Sequence, residues 1–167
     1  MTQINDTIKK LSQDLNEPDW PLSWRKERAH IAGTLPKELK YGIGIAGVLP
    51  TFTEGSPPVL GEDYPRLFDQ VAEYHVDASK GIELYTWKEA VSQEEIAPIL
   101  EGLMHSEFFP KATNYYSGLA QALFRSGLVV YAPPSMGDDG ALKEERITLD
   151  TMVPKGSSAD VIIVIAK

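Results

Sequence analysis

The run V-I-I-V-I, Val161 to Ile165, decides how the rest of the chain is read. It has no polar alternation, which predicts a strand buried on both faces, and that burial takes layers above and below or a partner subunit. The run is therefore expected at the centre of a sheet. Upstream, "LVVYA" (128–132) predicts a second strand that stops at Pro133 and Pro134, and "RITLDTMV" (146–153) predicts an alternating third. "GIELYTW" (81–87) predicts a fourth, with Ile82 and Leu84 alternating against Glu83 and Tyr85. Residues 41–48 show period two as well, Tyr41, Ile43 and Ile45 opposing Gly42, Gly44 and Ala46.

Helical spacing fills the intervals. Ile4, Ile8, Leu11 and Leu15 predict an amphipathic helix over 3–16 that stops at the prolines of "NEPDWP". A shorter one is expected over 23–32, with Gly33 ending it. Leu67, Phe68, Val71, Ala72 and His75 fit a helix over 65–76. "SQEE" at 92–95 has the form of a capping box for a helix reaching Phe109, although Pro98 implies a later start or a kink. Residues 113–126 predict a last helix, with Gly127 suited to end it. Five strands clustered toward the C-terminus and four or five helices predict an α+β or mixed α/β fold. The expectation is a single domain over 1–167, with a roughly five-stranded mixed sheet and the 161–165 strand central.

"YGIGIAGVLP", Tyr41 to Pro50, contains a G-x-G-x-x-G at Gly42, Gly44 and Gly47. A dinucleotide loop needs an apolar strand before the first glycine and a helix opening at the third. Here "LPKELK" leads in and Pro50 opposes a helix, so a strand with one bare face explains the glycines better. "GDDG" at 137–140 resembles a calcium loop in composition only, because an EF-hand alignment puts Arg146 at the last ligand position.

Composition removes several chemistries. The 167 residues include no cysteine, so thiolate nucleophiles, cysteine-held zinc or iron-sulfur sites and disulfides are excluded. Net charge is -8, split between +1 over residues 1–40 and -9 over residues 41–167. Such a field repels phosphate backbones and suits a basic partner. The first twenty residues lack the apolar core of a secretion signal, and no run approaches a membrane span. The expected location is the cytoplasm of a cell or an infected host, or a virion.

His30, His75 and His105 lack the i, i+3 or i+4 pairing by which one helix supplies two metal ligands, although His75-x-Asp77 and His105-x-Glu107 could contribute across the fold. No metal and no cofactor is expected. A small hydrolase or transferase would have to draw on His105, Glu107, Ser157, Ser158, Asp160 and Tyr116, with "KGSSAD" explained equally well as a polar turn. "WPLSWRKERAH" (20–30) interleaves Trp20 and Trp24 with Arg25, Lys26 and Arg28; the commoner outcome of such a run is that the tryptophans anchor it to the core while the charges stay solvated or pair with the acidic body, but Trp and Arg are also the residue types in which interface energy concentrates. The function expected is non-catalytic. Either the chain is a subunit of a homo-oligomer or larger assembly such as a viral particle, or it is an acidic adaptor or inhibitor of a basic partner; Trp20, Trp24, Arg25 and Arg28 are the candidate interaction residues.

Overall fold

The computed structural model of the chain describes residues 2–36, 68–78, 81–133, 146–152 and 159–166. Helix α1, Thr2–Asp14, buries Ile4, Ile8 and Leu11 along one side, as their spacing requires. Its stop is made by Asn16, not by the prolines beyond it. Asn16 takes a left-handed conformation (φ 54°), its N–H donates to Gln13 and the Glu17 N–H donates to Ser12 at 2.9 Å. That Schellman ending satisfies the last carbonyls and turns Glu17 inward.

Helix α2 spans Asp19–Thr34 and starts earlier than its apolar spacing suggests. Pro18 caps it and Pro21 lies in the first turn, where a missing N–H breaks no helical bond. After it come strand β1 (Glu73–Ala78), strand β2 (Glu83–Thr86), the single turn α3 (Trp87–Ala90) and helix α4 (Ala97–His105). Helix α5 (Tyr115–Leu123), β3 (Ser126–Ala132), β4 (Ile147–Met152) and β5 (Asp160–Ala166) complete the order.

The α+β class holds, but the described strands form two sheets in place of one. Strand β1 pairs antiparallel with β4, while β2, β3 and β5 form a second sheet in that order. In it β2 runs antiparallel to β3 and β5 parallel to it. The middle strand is therefore β3, whose residues 126–131 are all buried, and not β5. Strand β5 hides Ile163 and Ile165 on one face and shows Ile162 and Val164 on the other, because the helices cover only one side of the sheet there.

Three further expectations are corrected. The helix expected over 65–76 is a strand from Glu73 onward, with Tyr74, Val76 and Ala78 half-buried against exposed Glu73, His75 and Asp77. Pairing with β4 overrides a local pattern that tolerates either period. The capping box at 92–95 is not used: Thr86 and Glu89 form one for α3, and α4 starts later with Pro98 in its first turn. Gly127 sits inside β3, where an added Cβ would lie 2.6 Å from Val161 Cγ1 and 2.9 Å from the Val161 carbonyl oxygen. The glycine-rich segment 41–48 lies outside the described residues.

Two apolar clusters hold the layers together. One packs the covered sheet face (Val129, Tyr131, Ile163, Ile165) against Trp24, Trp87, Leu100, Met104 and Phe124. In the other, α1, α2 and α5 meet through Ile4, Ile8, Ala29, Ala32, Leu119 and Leu123. There Gly118 lets α5 approach α2 so closely that a Cβ would stand 2.6 Å from that of Ala32.

Candidate functional site

Within the segment 20–30, Trp24 and Arg25 turn inward, while Trp20 and Arg28 are half-buried and Lys26 is exposed. Trp24 and Arg25 are 1% and 0% exposed, so neither presents a surface to a protein partner. Each closes the end of a helix whose last carbonyls lack intrahelical donors. The Trp24 indole N–H donates to the Met104 carbonyl at 2.9 Å, near the end of α4. One Arg25 nitrogen donates to the carbonyls of Ala122 and Phe124, both at 3.0 Å, at the end of α5, where positive charge suits the helix dipole.

The remaining guanidinium nitrogens grip Glu17, with Nη2 2.6 Å from Oε1 and Nε 3.0 Å from Oε2. Both side chains are withdrawn from solvent. The Trp87 indole N–H donates to the same carboxylate at 2.6 Å, and the guanidinium stacks 4.1 Å over the Phe124 ring. Charge and hydrogen-bonding capacity are thus matched inside the core, as a buried ion pair requires. Trp20 is half-buried edge-on against Trp87, and Arg28 lies over Trp24 while pairing with Glu27. A run that looks like an interaction motif is a clasp between helices.

The residues proposed for catalysis do not converge. His105 ends α4 on an exposed surface, its Nδ1 2.9 Å from the Glu101 carbonyl oxygen, and Glu107 is exposed beyond it. Tyr116 is half-buried in the first turn of α5. Ser157 and Ser158 lie outside the described residues. Among the described residues no hydrogen bond joins His105 to Glu107, Tyr116 or Asp160, and no group of three His, Asp or Glu side chains is gathered as a metal site.

Asp160 does have company, and none of it was foreseen. The parallel register sets it opposite Ser126, whose hydroxyl donates to the carboxylate and accepts from the Ala72 N–H at 3.2 Å. The Tyr74 hydroxyl is buried close to both without a well-aligned hydrogen bond. Burial foremost, opposed by the Ser126 hydroxyl and reinforced by the Asp160 charge, pushes its pKa up to about 12. This polar cluster ties β1 to β3 and β5. Only the pairing of distant strands could have revealed it.

Among the described residues several surface features are open to other molecules. The face of the three-stranded sheet turned away from the helices carries Leu84, Val130 and Val164 in one cross-strand row and Thr86, Leu128 and Ile162 in the next, with Leu128 and Val130 buried and Glu73 to Val76 of β1 lining one hollow with Leu84, Thr86 and Leu128. On it Leu84, Ile162 and Val164 are 40%, 46% and 60% exposed. A hollow of about 300 Å³ gathers Glu83, Glu94 and Glu95 with Tyr85 and Tyr131. Tyr85 donates to Glu83, and this hydrogen bond is the main reason its pKa is raised. A second hollow, of about 290 Å³, lies between α2, α5 and the start of β5 and is lined by Trp24, Phe109, Phe124, Gln121 and Asp160.

A scan of protein-family models, a search of the curated proteins and a search of the solved structures each found no match to this chain. Among the described residues no helix is long and apolar enough to cross a membrane.

Proposed function

We propose that the chain is a non-catalytic assembly subunit that associates with its own copies through edge strand β5 and the exposed apolar side chains it carries. The observation that carries this is the pair of exposed apolar side chains on β5, Ile162 and Val164, which are 46% and 60% exposed. Exposed large apolar side chains can mark association sites, and a strand at a sheet edge adds unpaired backbone groups that favour a second strand. The edge position of β5 among the described strands supports the same role. A subunit of a larger particle, a virion included, would use such a face.

Light scattering at micromolar concentration tests it. Wild-type chain is expected to be oligomeric, and Ile162→Lys with Val164→Lys is expected to yield a monomer with an unchanged circular dichroism spectrum. Monomeric wild-type chain throughout that range would remove the proposal.

A second reading rests on the hollow of Glu83, Glu94 and Glu95 beside Tyr85 and Tyr131. Carboxylates around aromatic rings suit arginine or lysine side chains, and a net charge of -8 would speed the approach of a basic partner. An arginine-rich peptide would then bind in a salt-sensitive manner and lose affinity to Glu94→Gln with Glu95→Gln. Binding unaltered by that pair of substitutions would exclude the hollow.

A further inference from the structure

Among the described strands the β2-β3-β5 sheet ends at β5, so one row of backbone N–H and C=O groups on that strand has no described neighbour. Proteins that keep such an edge from pairing place a lysine, a proline or a bulge on it. Here Val161 to Ile165 holds neither charge nor proline, and its register with β3 is unbroken from Ser126 with Asp160 to Ala132 with Ala166. Ile162 and Val164 stand exposed on the face turned from the helices. Nothing within the strand discourages pairing.

A two-fold axis can join two copies of one edge strand within a sheet in only two ways. Along the strand, it gives parallel pairing and throws the helical layers to opposite sides. Normal to the sheet, it gives antiparallel pairing and keeps both layers on one side. The second arrangement leaves Ile162 and Val164 of both copies on the same open face, where they cover each other.

The register follows from parity. Residues directly opposite in paired strands point to the same face, so an axis normal to the sheet matches only residues an even number of positions apart. An axis at Ile163 matches Asp160 to Ala166 end to end with the second copy. It sets Ile162 opposite Val164 on the open face and Val161 opposite Ile165 on the helical face. Asp160, the single charge in the strand, meets Ala166 and no like charge. An axis at Ile162 or Val164 shortens the ladder, and at Ile162 it also sets the Asp160 carboxylate opposite the apolar Val164.

We propose that two copies of the chain join antiparallel through β5 about a two-fold axis at Ile163, continuing the sheet as β2-β3-β5-β5-β3-β2. The inference rests on β5 as the association surface and fixes its partner, symmetry and register. Such a dimer uses both β5 edges and closes on itself, so a larger assembly is built from these pairs through other surfaces.

The absence of cysteine makes the register directly readable. Ile162→Cys and Val164→Cys are prepared as separate chains, both at exposed positions where the change spares the core. Mixed and oxidised with glutathione disulfide, they are expected to give a covalent dimer of one chain with the other, because opposed Cβ atoms stand about 4.5–5.5 Å apart. Either chain alone should cross-link about tenfold less, since its two thiols lie two positions apart along the ladder, with Cα atoms about 8 Å from each other and beyond disulfide reach. Free-edge amides within 161–165 should also exchange more slowly as wild-type concentration rises through the micromolar range, a readout that needs no substitution. A dimer by light scattering with no mixed cross-link, or with cross-linking as strong in either chain alone, would overturn the register and leave association through β5 standing. Amide exchange in β5 that ignores concentration while a dimer forms, or a chain monomeric throughout, would overturn both.

Discussion

Glu17 and Arg25 face each other without solvent, and the core depends on their both being present. Removing one leaves the other charge buried and unpaired, so Glu17→Ala is expected to cost about 3–5 kcal/mol in urea denaturation. Replacing both by apolar residues of similar volume, Glu17→Leu with Arg25→Met, should cost much less than the sum of the single changes. Additive losses would show that the pair is not coupled. Tyr74 makes a different demand. Its hydroxyl titrates at about 12 in the fold against an ordinary value of 10.0, so the folded state favours the protonated phenol. Its contribution is therefore complete below pH 10 and is lost as pH rises from 10 toward 12. Tyr74→Phe should flatten the fall in stability over that window, measured as midpoint against pH. An unchanged alkaline slope would mean that the phenol is not held in its protonated form by the fold.

At the scale of elements, two glycines in helices should behave in opposite ways. Gly118 lies where α5 crosses α2, and Gly118→Ala would press a methyl to 2.6 Å from Ala32 Cβ. Forcing the helices apart is expected to cost about 1–3 kcal/mol. Gly102, in the middle of α4, has nothing within 4 Å of its added Cβ, so Gly102→Ala should stabilise by about 0.5–1 kcal/mol through helix propensity. Thermal midpoints moving in the same direction for both would contradict the packing described. The helical pattern of α1 and the strands β2 and β4 were legible from apolar periodicity, β3 and β5 from continuous apolar runs that misplaced β5 at the sheet centre, and the α+β class from their sum. Strand β1 was not, because the residues around 71–76 fit a helical face as well as a strand and the deciding partner, β4, lies far along the chain. Arg25 was illegible for another reason. Beside Lys26 and Arg28 it resembles a solvated cation, and its acceptors come from residues 17, 122 and 124. Ser126 and Asp160 likewise meet only through the parallel register of β3 and β5. Periodicity reports which face is apolar; it says little about which distant groups share a site.

Across the whole molecule the layers are unequally joined. Helix α2 reaches into α4 through Trp24, into α5 through Arg25, and against α3 through the Glu17 carboxylate that Trp87 shares. The β1-β4 pair has a thinner attachment: exposed residues alternate along β1, most of β4 is exposed, and the polar tie described for it runs from Ala72 to Ser126. Two strands alone are marginal in water. Native-state hydrogen exchange should therefore divide the described residues into two populations, with amides of α2, α4 and α5 opening near the global free energy and those of Tyr74 to Asp77 and Thr148 to Thr151 opening well below it. A uniform exchange free energy would contradict this division. The ribbon can consequently detach and reform while the rest of the protein stays native, so a protease that cuts opened chain should nick it first and leave the helical portion intact.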